Sequence, residues 1–339
     1  MEKARLLELD AIRGLAAIGV VLYHYFYRYN EIYGHTNLAV HWSYFGQYGV
    51  HLFFIVSGFV IFWTLHRVEK PADFLVSRFS RLYPAFWIAV TVTFSIVYFF
   101  GLPGRQVSLE SALLNLFMFH EFLGISHVDG VYWTLTVELT FYFWIFIIYI
   151  FGLLEKVEYF FVPILLISIL QSVGFLDVGI IKKILILNYA SLFLAGICFY
   201  RLAHNQYQFR SYLLLLFSLV TIFYVYSFTI FILIFLFYVI FFLSVTGRLA
   251  LLRTRALVFL GSISYSLYLL HQNIGYVVLN GNYKLGIDPV LSVTITIFIT
   301  ILLASLSFAY VEKPMLKLIR KRYEDSKIMR GLTNKNKVR

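Results

Sequence analysis

The chain has 339 residues, enough for two or three soluble domains, yet 61% are hydrophobic and only 13% charged, against about 45–50% and about 25% in ordinary soluble domains. Such a chain cannot cover itself with polar surface, so its solvent is lipid, and the net charge of +11 follows membrane topology rather than a nucleic-acid partner. The single cysteine, Cys198, excludes an internal disulfide framework and a cysteine-based metal cluster, and no metal site is expected.

Taken in order, runs of about 17–25 apolar residues predict an all-α, polytopic membrane bundle. Ten spans are expected, at 9–27, 45–65, 83–101, 131–151, 159–175, 184–200, 211–228, 230–246, 258–279 and 289–311. The first run holds Arg13 and His24 and ends in Tyr and Arg, so it reads as a span and not a cleavable signal. Ten spans place both termini on one side of the membrane. Of the 28 Lys and Arg residues, only Arg28, Arg105, Lys182, Lys183 and Lys284 then lie on the other side, which makes the termini cytoplasmic. Residues 1–316 form the expected transmembrane domain and 317–339 a basic cytoplasmic tail resting on anionic lipid or partly disordered. The stretch 108–128, with Glu110, His120, Glu121 and His127, reads as an amphipathic or re-entrant helix on the outer side.

Ionisable groups inside spans mark sites or pathways. Arg13 and His24 are eleven residues apart, roughly 20° past three full turns and roughly 16 Å along a helix axis. One helix face therefore carries a cation near one surface and a titratable base deeper in. Asp10 is three residues before Arg13 and within pairing reach. His24 suits proton removal near neutral pH; its alternative is a hydrogen-bonded histidine inside the bundle. Arg78 and Arg81, in RFSRLYP, share a face. They suit a phosphate or pyrophosphate gripped bidentately, or else a positive-inside anchor. Glu138, in VYWTLTVELTFYFW, must be neutral, paired or facing a wet cavity. His271, in LGSISYSLYLLHQN, lies on a serine-rich span that serves equally as glue between helices. Ser57-Gly58 permits a close helix approach. His120-Glu121 lacks the second histidine of a zincin helix, and no P-loop, Rossmann glycine pattern or nucleophile elbow occurs.

The segments LDAIRGLAAIGVVLYHY, GVHLFFIVSGFVI, RFSRLYPAFW, VYWTLTVELTFYFW, LGSISYSLYLLHQ and YVEKP, in this order from Leu9 to Pro314, resemble the acyltransferase 3 family of integral membrane proteins. The resemblance implies O-acylation, usually O-acetylation, of a carbohydrate such as lipopolysaccharide O-antigen or another surface or lipid-linked glycan. The implied donor is cytoplasmic acyl-CoA, a co-substrate and not a tightly bound cofactor, and the implied location is the bacterial inner membrane. The family's arginine–histidine motif falls on Arg13 and His24, its paired arginines on Arg78 and Arg81, and its span-four glutamate on Glu138. His24 and Glu138 are then the expected catalytic pair, with Glu138 orienting or charge-balancing the imidazole. Arg13, Arg78 and Arg81 are the expected acyl-CoA ligands, and Asp10, His271 and Trp133 supporting residues. The rival reading is a proton-coupled transporter or flippase, which uses buried His and Glu equally well but has no need of a CoA grip.

Overall fold

In the computed structural model, which describes residues 6–337 and their side chains as far as 326, the apolar runs are helices. They are α1 (Leu7–Leu22), α2 (Gly49–Leu65), α3 (Pro71–Phe100), α4 (Leu109–Asn115), α5 (Trp133–Ile150), α6 (Glu158–Ser172), α7 (Ala190–Ala203), α8 (Gln208–Val225), α9 (Phe228–Val245), α10 (Arg255–Leu270), α11 (Gln272–Lys284), α12 (Pro289–Ser307) and α13 (Lys313–Lys337). The described residues contain no strand. Lys3, Arg5 and Arg339, which enter the charge argument, lie outside the described residues.

Among the described residues, seven helical segments are long and apolar enough to cross a membrane: Leu7–Ile32, His41–Leu65, Pro71–Phe100, Gly130–Ile150, Gln208–Val225, Phe228–Val245 and Pro289–Ser326. They account for seven of the ten expected spans. The other three coincide with the shorter helices α6, α7 and α10, and each has a local cause. Residues 185–189 are turns, with Ile186 at φ 48°, so α7 begins only at Ala190. The 258–279 run breaks at His271 into α10 and α11. α6 carries Pro163 and ends at Ser172.

The chain divides into two compact units. The first takes residues 1–67 and 131–264, the second 68–130 and 265–339. In the first, α2 lies against α7, and two glycines make this possible. A Cβ on Gly196 would stand 2.0 Å from the Ile55 carbonyl oxygen, and one on Gly58 2.1 Å from that of Phe193. Only hydrogen at these positions lets the two backbones touch, as the Ser57-Gly58 pair suggested. The start of α1 is fixed by charge: Arg253 Nε donates to the buried Glu8 carboxylate at 2.7 Å. Arg201, also buried, ends α7 by donating to Glu158 at 3.3 Å and to the carbonyl of Glu155 at 2.8 Å. A buried guanidinium is tolerated when so partnered.

In the second unit α3 continues through Pro84, so Arg78 and Arg81 lie inside the helix and not at its start. α12 passes through a π-helical turn, Phe308–Glu312, into α13 without a break at 316 or 317. The 108–128 stretch is less helical than expected. α4 and a single 3-10 turn, His120–Leu123, form, because Met118 (φ 61°) and Gly124 (φ 70°) adopt left-handed backbone on either side of that turn. The rest wraps around the buried Asn115, whose amide donates to the Ser126 carbonyl at 3.0 Å and whose Oδ1 accepts from Val128 N at 2.9 Å.

Candidate active site

α1 is regular α-helix from Leu7 to Leu22 and then widens into a π-helical segment, Tyr23–Arg28, with His24 as its second residue. Single π turns are frequent at functional positions, since the wider ring disturbs the ladder and must be held by its surroundings. His24 is buried, and its Nδ1 lies 2.9 Å from the Val20 carbonyl oxygen. A carbonyl only accepts, so Nδ1 carries the proton in that bond. The lone pair of the neutral ring is then on Nε2. The fold has therefore chosen the tautomer a general base needs.

Glu138, on α5 of the same unit, accepts from Ser57 Oγ on α2 at 2.8 Å and from the Tyr142 hydroxyl one turn along its own helix. The expected direct orientation of the imidazole by Glu138 is not the geometry found. The Val20 carbonyl occupies the orienting position at Nδ1, and two hydroxyls satisfy the carboxylate. Trp133 opens α5 and packs on Tyr189, ring centroids 5.5 Å apart, and on Phe54 at 6.4 Å. It belongs to a row of aromatic rings in this unit. Tyr23, next to His24, stacks on Tyr27 at 5.9 Å; Tyr27 meets Tyr44 at 5.1 Å, Tyr44 meets Tyr48 at 6.2 Å, and Tyr48 meets His51 at 5.1 Å. His51 in turn meets Tyr189 at 6.1 Å. The row runs from the histidine's helix to the glutamate's. Its signal in sequence was the cluster of Tyr at 23–48, which composition alone assigns to an interfacial belt.

At the other end of α1, Arg13 Nη1 is 3.9 Å from Asp10 Oδ1, a loose pair one turn apart. Both line a cavity of about 320 Å³ together with Trp63 and Arg67 of the same unit. The Arg67 guanidinium lies 4.6 Å from the Trp63 ring centroid. A cation held over an indole face beside a second cation suits an anionic or aromatic ligand. Sequence reasoning placed Arg67 only in the positive-inside count.

The second unit holds the other arginines, and they are not equivalent. Arg78 Nη2 donates to Ser77 Oγ at 3.0 Å, with its guanidinium 6.0 Å from the Phe74 ring. Arg81 Nη1 pairs at 2.5 Å with Oε1 of Glu312, a carboxylate only 1% exposed. Glu312 Oε2 accepts from Ser266 Oγ at 2.9 Å, and Ser266 lies 3.2 Å from Ser307 Oγ. Glu312 lies in YVEKP and was not singled out from sequence; its signal was a lone carboxylate closing an apolar run. His271 is fully buried at the joint of α10 and α11, with Nδ1 bonded to the Tyr268 carbonyl at 2.8 Å and near that of Leu267 at 3.1 Å. Its neighbour Asn273 is tied through its backbone N to Asp129 at 2.9 Å and through Nδ2 to the Val128 carbonyl at 2.9 Å. His271 thus sits in a structural joint of this unit.

The 108–128 stretch carries a histidine pair. His120 Nε2 and His127 Nδ1 are 2.6 Å apart, and His127 Nε2 is 3.7 Å from Glu121. Burial, and then the neighbouring His127, push the His120 ring down to about 4. The unfolded chain binds this proton near 6.5, so stability is lost as pH falls from about 6.5 towards 4, by up to about 3 kcal/mol. Protection factors of residues 115–128, which divide out the pH dependence of intrinsic amide exchange, are expected to fall between pH 7 and pH 5 in the wild type and to change little in His120→Gln. An equal fall in both would assign the effect elsewhere.

Among the described residues no group of three His, Cys, Asp or Glu side chains is arranged to hold a metal ion. No solved structure matches the chain. Among curated proteins it is similar to Nodulation protein 10 of Rhizobium leguminosarum bv. viciae, 31% identical over 28% of this chain and 30% of that protein. It is similar also to Exopolysaccharide production protein ExoZ of Rhizobium meliloti, 31% identical over 29% of this chain and 32% of that protein. Peptidoglycan O-acetyltransferase OatA of Listeria monocytogenes is 27% identical over 40% of this chain and 22% of that protein. The chain thus spans about a third or less of the length of these relatives. The acyltransferase domain profile, by contrast, matches residues 6–310, nearly all of the helical fold with every arginine, histidine and glutamate placed above except Glu312, and by that match the chain is a multi-pass membrane protein of the acyltransferase 3 family.

Proposed function

We propose that this chain is an O-acyltransferase that moves an acyl group, acetyl in the simplest case, from acyl-CoA to a hydroxyl of a cell-surface carbohydrate such as lipopolysaccharide O-antigen. Its place is the bacterial inner membrane, with both termini on the cytoplasmic side. The observation that carries the reading is the fixed tautomer of His24. Nε2 takes the proton of the acceptor hydroxyl, the hydroxyl oxygen attacks the thioester carbon, and the carbon–sulfur bond breaks. The proton then returns from His24 to the CoA thiolate, so the ring ends as it began. Glu138, held by Ser57 and Tyr142, supplies negative charge that compensates the imidazolium through space. Arg78 and Arg81 serve the phosphates of the donor. Two relatives, an exopolysaccharide production protein and a peptidoglycan O-acetyltransferase, support a glycan acceptor. The aromatic row from Tyr23 to Trp133 suits it too, since sugar rings stack on aromatic faces.

Mass spectrometry of surface glycans from cells with and without the protein tests this. One acyl unit on a repeat, present only with the protein, is expected, together with consumption of acyl-CoA by the purified protein. A flippase would move a glycan and leave the thioester intact, and that result would reject the transferase reading.

A further inference from the structure

The loop after α3 carries Arg105, one of the few basic residues expected on the side opposite the termini. Its counterpart Arg28 is paired with Glu31 at 2.7 Å. Arg105 is half-buried, and among the described residues its guanidinium makes no ion pair and no hydrogen bond. The carboxylates of the same unit on that side are placed elsewhere. Asp129 accepts from Asn273 N, Glu121 lies against His127, Asp288 caps α12 by accepting from Val290 N and Leu291 N, and Glu110 is exposed.

A second polar group stands beside this cation. Gln272 opens α11 and is only 3% exposed, yet its amide hydrogen-bonds nothing among the described residues. Native interiors rarely leave a buried amide so. Gly130 shows where the two groups meet. A Cβ on it would stand 2.9 Å from Gln272 Oε1, 3.0 Å from Gln272 Nε2 and 3.2 Å from Arg105 Nη1. The missing side chain leaves the amide and the guanidinium gathered around one bare point of backbone. Arg105 also lines a cavity of about 220 Å³ with Phe94, Tyr98, Gln106 and Val128. The Phe94 and Tyr98 rings are stacked, centroids 6.0 Å apart, and Tyr98 is 68% exposed. Arg105 therefore has a buried amide on one side and an aromatic wall on the other.

This set of groups selects a ligand. A guanidinium fork matches a planar carboxylate. A carboxamide offers a donor and an acceptor together, as neighbouring hydroxyls on a sugar ring require. An aromatic wall with a few placed polar groups suits the apolar face of such a ring, and the cavity has room for one ring. A phospholipid headgroup would engage the cation and leave the amide and the wall idle. We propose that Arg105, Gln272 and Tyr98, set around Gly130, form a subsite for a hexuronate, a sugar whose ring bears a carboxylate, within the acceptor glycan. The proposal rests on the glycan-acceptor reading given above, and the subsite lies wholly within the second unit.

The test measures binding of trigalacturonate to the full-length chain in phosphatidylcholine nanodiscs, with no acyl-CoA present. Its trimethyl ester, the same trisaccharide without charge, is the control. The wild type is expected to bind the acid about ten-fold more tightly than the ester. Arg105→Gln should erase that preference and leave ester binding unchanged, and Arg105→Lys should keep part of it. Gln272→Leu should weaken acid and ester alike, by roughly five-fold. Gly130→Ala, whose methyl group pushes on both side chains, should weaken the acid. Lys284→Gln, which removes another cation expected on that side, should change neither. Equal or absent binding of acid and ester by the wild type, or a preference that survives Arg105→Gln, overturns the subsite. So does loss of retained phosphatidylglycerol in Arg105→Gln, read by native mass spectrometry, when the trisaccharide does not bind; the cation is then a lipid contact. Matching size-exclusion profiles for the Gln and Lys variants separate these results from misfolding. If the acid preference is found but acyl-CoA is never consumed, the transferase reading fails and the subsite stands. If acyl transfer proceeds and no acid preference exists, the reverse holds.

Discussion

His24→Ala is expected to lower acyl transfer by about 10²–10⁴-fold, the range that a positioned general base supplies. The loss should appear in kcat, because the ring acts on the proton in flight and not on donor binding. His24→Asn is the sharper variant. Its side-chain amide can still donate to the Val20 carbonyl, as Nδ1 does now at 2.9 Å, so the π segment Tyr23–Arg28 keeps its anchor. It offers no nitrogen that can accept a proton. If loss of the base is what matters, Asn is as inactive as Ala while inserting and folding like the wild type. Assay of both variants in membranes, with acyl-CoA and glycan supplied, decides the matter. Turnover within ten-fold of wild type in the Asn variant would leave His24 a packing residue.

Arg81→Met should destabilise the protein strongly, and Arg78→Met should not. Sequence spacing treats the two arginines as equals, but only Arg81 is paired with Glu312, whose carboxylate is 1% exposed. Removing the guanidinium leaves that carboxylate buried with Ser266 as its hydrogen-bond donor, a change that costs about 3–5 kcal/mol for a buried pair. Glu312→Ala should cost somewhat less, because the Arg81 side chain is 26% exposed and its stranded charge can reach water. The double variant Arg81→Met with Glu312→Leu should recover most of the loss, since it leaves neither charge behind. Thermal unfolding in detergent, read by fluorescence size exclusion, gives all four midpoints. Equal midpoints for Arg78→Met and Arg81→Met would show that the ion pair contributes nothing.

Apolar run length was enough to read the helices and their membrane character, because in lipid each helix must satisfy its own backbone. The turn between the seventh and eighth runs is found at Tyr226 and Ser227, close to the expected position. Run length failed where tertiary packing breaks a helix from within. Nothing local marks His271 as a joint; Asn273, two residues on, is held by Asp129 and Val128, far away in sequence. The π segment at His24 was equally hidden, since its sequence, YHYFYR, has ordinary helical preferences. The candidate residues were legible because charge in an apolar run stands out. Their partners were not: Val20 acts through its backbone, and Ser57 and Tyr142 are common in any span. The docking of α13 on α3, where Arg320 donates to Ser77 and Tyr323 to Asp73, does leave a mark in the sequence. Leu316, Arg320 and Tyr323 recur at helical spacing along one side of the basic segment, which a freely solvated tail has no reason to keep.

The Arg81–Glu312 pair has a consequence for biogenesis. The partners are 231 residues apart. At about 5–20 residues per second, a ribosome needs roughly 10–50 s to make the acid after the base. Over that interval the nascent α3 carries a cation whose counter-ion does not yet exist, and the helix cannot settle in its final place. Translation therefore has to reach Glu312 before this unit can lock. Stop codons upstream of residue 312 should yield chains that insert yet are cleared by membrane quality control.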